Sequence, residues 1–127
     1  MKTMMETILA LSVFASCSVA HAGVVQVWYC TLNEGKTVEE VTEASSDWIA
    51  AAKTVKGGDK LEIYHEFPLA ADAETGRFNF IMIAPDARTW GDFMDGYRNS
   101  EARKADDDWG EVATCSGGAL WSWDPIR

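Results

Sequence analysis

Apolar positions along this chain switch between a two-residue and a three-to-four-residue period, and the switches mark its elements. Val24 to Leu32 is rich in β-branched and aromatic residues, with Val25, Val27 and Tyr29 pointing one way and Val24, Trp28 and Cys30 the other. A strand apolar on both sets has to be covered on both faces. Asn33-Glu34-Gly35 then supplies a turn. Thr37 with Glu40 three residues later is a capping-box signature. Behind it Val41, Ala44, Trp48, Ala51, Ala52 and Val55 recur at helical spacing, which predicts a helix ended by Gly57-Gly58.

Leu61 to Phe67 and Arg77 to Ala84 read as two strands around the turn-rich stretch Pro68 to Gly76, a long hairpin. In the second strand Phe78, Phe80 and Met82 oppose Ile81 and Ile83, again giving two apolar faces, and Pro85 stops it. Asp86 is an N-cap for a second helix whose stripe is Trp90, Phe93, Met94 and Tyr97. Ser100-Glu101 starts further helix through Trp109, carried by Ala102, Ala105 and Trp109. Glu111 to Cys115 reads as a strand that Ser116-Gly117-Gly118 bends and Ala119 to Trp123 extends. The order predicts an α+β, ferredoxin-like βαββαβ domain with a four-stranded antiparallel sheet. In that topology the first and last strands are antiparallel neighbours.

The amino terminus changes the picture of where the domain works. Lys2 lies in a short polar stretch, an apolar run spans Ile8 to Ala15, and Ala20-His21-Ala22 closes with small residues. This is the order of a secretory signal peptide, and the run is too short to span a bilayer. The expectation is a signal peptide over residues 1–22, cleavage before Gly23, and a secreted or periplasmic domain of residues 23–127 without a transmembrane segment. Phe14-Ala15-Ser16-Cys17 also resembles a lipoprotein box, in which Cys17 would anchor an envelope protein. Cleavage after Ala22 removes one Lys and one Glu, so the charge stays at -9. So acidic a surface repels phosphate backbones and anionic headgroups, which argues against nucleic-acid and membrane-surface partners.

Cleavage also leaves two cysteines, Cys30 and Cys115. An even count in a small exported domain favours a disulfide over a redox or metal pair, which would call for closer spacing. The predicted topology puts the two cysteines at adjacent strand ends.

These elements carry a family resemblance. The strand Val25 to Leu32, the capped helix after Gly35, the aromatic strand Phe78 to Ile83, the helix with Trp90 and Phe93, and Ser100-Glu101-Ala102 resemble the dimeric α+β barrel superfamily. That superfamily includes the antibiotic-biosynthesis-monooxygenase-like and stress-responsive barrel domains. The resemblance implies two sheets packed face to face across a homodimer, which would cover the second apolar faces. The cysteine pair and the tail from Ser116 depart from the pattern.

Chemistry-bearing residues are few. His65 is the one histidine of the exported domain and shares a strand face with Leu61, Ile63 and Phe67. It reads either as a hydrogen-bonded structural histidine or, if its face lines a barrel interior, as a general base or ligand-orienting donor. One histidine cannot make the usual zinc or iron sets, so no metal and no cofactor is expected. Trp48 and Trp90 belong to helical stripes, Trp28 to a strand, and Trp121 and Trp123 share one face of the last strand, suited to edge packing or a partner. Asp106-Asp107-Asp108 lacks calcium-loop spacing and reads as a solvated acidic face, as do Asp72 and Glu74 in the hairpin loop. No serine-nucleophile elbow, phosphate loop or dinucleotide fingerprint is present.

The leading reading is a dimeric binding module for a small apolar or aromatic ligand, with His65, Trp28 and Asn79 as the pocket candidates. A cofactor-independent oxygenase or isomerase acting on an aromatic substrate is the alternative. An envelope-anchored structural lipoprotein is the third.

Overall fold

The two strands with two apolar faces become the two central strands of the sheet. In the computed structural model, which describes residues 23–70 and 74–124, β1 (Gly23–Leu32) lies between β3 (Arg77–Ala84) and β4 (Ala113–Trp123). The signal peptide, Cys17 and Asp72 fall outside the described residues. β2 (Glu62–Glu66) adds to the far side of β3, so the order is β2-β3-β1-β4 with every neighbouring pair antiparallel. This is the four-stranded ferredoxin-like sheet that the element order predicts.

Three capped helices cover one face. α1 (Val38–Ala52) opens on the reciprocal capping box: the Glu40 amide donates to Thr37 Oγ1 at 3.2 Å and the Thr37 amide to Glu40 Oε2 at 2.8 Å. Asp86 caps α2 (Ala87–Tyr97) through the Thr89 amide, and Ser100 caps α3 (Glu101–Gly110) through that of Arg103. α1 stops five residues short of Gly57. Beyond Ala52 the chain tightens into three-residue turns, with the Thr54 and Val55 amides donating to Ala51 and Ala52. Gly57 then takes a left-handed φ of 83°, where a Cβ would approach the Thr89 carbonyl to 2.8 Å.

Alternation divides the sheet cleanly. Val24, Cys30, Phe78, Phe80, Met82 and Ala84 are buried under the helices with Val41, Trp48, Phe93 and Trp109. The opposite face holds Val25, Val27, Ile81 and Ile83, flanked by Tyr64, Trp121 and Trp123, which stay 48%, 59% and 49% exposed. Val27 pairs with Ala119 and Val25 with Trp121, whereas Cys30 pairs with Cys115, so the register shifts at Tyr29 and Ser116 is the additional residue of a β-bulge. β4 is therefore one bulged strand rather than two segments about a bend. Without the bulge, Cys115 and Trp121 would share a face; with it they lie on opposite ones.

Cys30 and Cys115 form a disulfide across β1 and β4. Substituting both by Ser should lower unfolding stability by about 2–5 kcal/mol. Denaturant melts of wild type and variant, with and without reductant, measure it. A wild-type melt indifferent to reductant, together with two titratable thiols, would refute the pairing in solution.

Candidate functional site

The helices do not close completely over the sheet. Between them lies a cavity of about 490 Å³ whose walls are aromatic: Trp28 from β1, Phe80 from β3, Trp48 from α1, Phe93 and Tyr97 from α2, and Trp109 from α3. The rings brace one another. Trp28, Trp48 and Trp109 all meet Phe80 edge to face, at centroid separations of 5.8, 5.5 and 5.7 Å. Gly118, opposite Trp28 in the register, matters here: a Cβ would collide with the Val27 carbonyl and meet the Trp28 ring at 3.4 Å. A volume of this size, apolar with a few polar groups, is typical of small-molecule sites.

The polar groups come from four elements. Gln26 Oε1 accepts from the Trp90 indole N–H at 2.9 Å. An indole can only donate, so this bond fixes the amide's orientation and leaves the Gln26 NH2 as a donor on the cavity wall. On the helix side the Tyr97 phenol stands near Trp48 and Asp106. Burial, then the Asp106 charge, pushes the Tyr97 phenol up to about 12, so it remains a neutral donor at physiological pH. Thr114 and the Cys30–Cys115 disulfide complete the wall beside β4.

Of the three residues predicted for a pocket, Trp28 lines the cavity. His65 lies on the same helix-covered face but behind the aromatic wall, ringed by Phe67, Phe78 and Phe80. Its Nε2 is 2.9 Å from Ser45 Oγ, which itself accepts from the Trp109 indole at 2.8 Å. Ser45 Oγ thus joins the Trp109 indole to the His65 imidazole, and in the tautomer protonated on Nδ1 the His65 Nε2 accepts the Ser45 proton. Asn79 alternates with Phe78 and Phe80 and so falls on the outer face, where its amide donates to Glu66 at 2.6 Å. Strand alternation separates it from Trp28 and the cavity.

Sequence reasoning passed over Gln26, Tyr97 and Asp106 as site residues. Asp106 reads as part of a solvated acidic run, yet it is four residues after Ala102 and three before Trp109, both buried, which sets it at the margin of the buried stripe of α3. That spacing is the signal that finds it. Among the described residues no cluster of His, Cys, Asp or Glu could hold a metal ion, and no helix is long and apolar enough to cross a membrane.

Comparison with solved structures decides the fold. A dabb-family protein with a ferredoxin-like fold from Mesorhizobium loti superposes with a TM-score of 0.53 at 12% identity, over 84% of this chain and 100% of that one. The chain has a ferredoxin-like fold. The hydroxynitrile lyase of Passiflora edulis is also similar, with a TM-score of 0.54 at 9% identity over 83% of this chain and 94% of that one. So is a conserved protein of unknown function from Bacteroides thetaiotaomicron, at 0.50 and 12% over 83% and 99%. The resemblance to dimeric α+β barrels is thus one of fold, and fold leaves function open. No family model and no curated protein sequence matches the chain.

Within this ferredoxin-like fold, burial pushes the His65 imidazole below its ordinary value of 6.5. The unfolded chain then takes up a proton before the folded one does. Stability should be flat above that pH and fall as the pH drops through 6.5 toward the lower folded-state value. His65→Gln keeps an acceptor for Ser45, so the variant should fold and lose this component. Thermal melts of both proteins from about pH 8 to about pH 5 test it; an identical pH slope in the two would refute the role.

Proposed function

We propose that this is an exported binding domain that holds a small aromatic or apolar molecule in the cavity between sheet and helices. The observation that carries the reading is the cavity itself: about 490 Å³, walled by six aromatic side chains, with one oriented amide donor and one phenol–carboxylate pair. Its lining is what a small-molecule site needs, an apolar body with a few fixed polar groups. Export is supported by the signal-peptide pattern of residues 1–22 and by a disulfide that an oxidising compartment would preserve.

The enzymatic alternative is a cofactor-independent reaction on an aromatic substrate in the same cavity. Tyr97 is held protonated and suits hydrogen bonding better than proton abstraction near neutral pH, and His65 stands behind the wall. Binding is therefore the better reading.

The test is a titration of the purified domain with neutral aromatic probes such as 2-phenylethanol and indole, followed by tryptophan fluorescence and calorimetry. Saturable binding at one site is expected. Met94→Trp fills space at the cavity wall and should weaken that binding by at least about tenfold while keeping a cooperative melt. Absence of saturable binding by every probe would sink the reading.

The domain also works as a homodimer through its outer face, in this proposal. Val25, Val27, Ile81 and Ile83 form a half-buried apolar patch framed by exposed Tyr64, Trp121 and Trp123, and a contiguous apolar surface of this kind suits a partner. A dimer in sedimentation at micromolar concentration is expected, and Trp121→Glu should yield a folded monomer. A monomeric wild type would overturn this part alone.

A further inference from the structure

The charges around the cavity are lopsided. Among the described residues Asp106 is the one acidic side chain on its wall, and no lysine, arginine or histidine lines it. The nearest cation on the same helix, Arg103, is shared between Asp106 and Asp107, closer to Asp107. Its Nη1 lies 2.6 Å from Asp107 and 3.5 Å from Asp106, and its side chain is 46% exposed. An exposed pair of that kind is weak, so the Asp106 charge is poorly neutralised by the protein. Beside it stand the electron-rich rings of Trp48, Tyr97, Trp109 and Trp28.

An anion entering here would shed water to meet a carboxylate and π faces. A cation would gain from both, since indoles and phenols attract ammonium groups and a carboxylate makes charge-assisted hydrogen bonds to them. The whole chain, at a net charge of -9, favours the approach of the same sign. We propose that the ligand of this cavity is an organic cation, an aromatic or alkyl amine whose ammonium group sits against Asp106 among the aromatic rings. The inference rests on the ligand-binding reading above and names the class of molecule for that site.

The test compares three probes of one shape near neutral pH, where the amine is protonated: 2-phenylethylamine, 2-phenylethanol and 3-phenylpropionate. Calorimetry should rank the amine at least about tenfold tighter than the alcohol and the carboxylate last. Amine affinity should fall with added salt while alcohol affinity does not. Asp106→Asn should bring the amine-to-alcohol ratio to about one. Asp108→Asn, which removes the same charge from an exposed position off the cavity wall, should leave that ratio high. If the alcohol binds as tightly as the amine, or the amine preference survives Asp106→Asn, the cation proposal falls and the ligand-binding reading stands. Equal loss in both variants would reduce the effect to net charge and also overturn it. If none of the three probes binds, the ligand-binding reading falls with it.

Discussion

Phe80 is where the parts of this protein meet. Its ring touches Trp28 on β1, Trp48 on α1, His65 on β2 and Trp109 on α3, so one side chain from the centre of the sheet joins four other elements. Two of those neighbours carry the polar link Trp109–Ser45–His65, which ties α3, α1 and β2 through the one buried serine of α1. A buried hydroxyl with both a donor and an acceptor beside it costs little and fixes orientation. Three large rings anchored on one phenylalanine cannot fill space as aliphatic side chains would. The cavity lies beside these rings, between the helices and the sheet.

The same geometry explains what was legible from the residues alone. Caps at Thr37, Asp86 and Ser100, the stripes behind them and the double-faced strands are local signals, and each matches its element. The end of α1 was not, because Val55 keeps the helical spacing and remains buried while the backbone has already tightened into turns. Side-chain periodicity reports which face is buried, not which hydrogen bonds the backbone makes. The cavity was illegible for a different reason. It is lined by residues on six separate elements, and nothing in the spacing of Gln26, Tyr97 and Asp106 records that the fold brings them to one wall. His65 and Asn79 drew attention as residue types, but alternation and packing send one behind the wall and the other to the outer face.

A sheet one residue thick gives this domain two surfaces that share a backbone and little else. On β1 and β3 the even-numbered positions build the core and the cavity wall; the odd-numbered positions build the outer apolar face. Each surface is then free to carry its own task, and a substitution on one reaches the other only by moving a strand. Strand position is therefore the quantity that the structure has to guard.

On β4, the edge strand, the guard is visible. An edge strand paired on one side, with glycines at 117 and 118, has weakly specified register, and a slip of one residue would move Trp121 and Trp123 from the outer face to the helix side. The bulge at Ser116 already inverts parity once, so Cys115 lies on the helix side of the sheet while Trp121 lies on the outer face. The disulfide to Cys30 sits immediately before that bulge and locks the residue from which the inversion is counted. A free strand could shift the bulge along its length at small cost; a strand bonded at Cys115 cannot do so on the side toward α3. Beyond constraining the unfolded chain, the crosslink thus sets which surface the terminal tryptophans occupy and keeps Gly118 opposite Trp28, where an added Cβ would collide with the Val27 carbonyl.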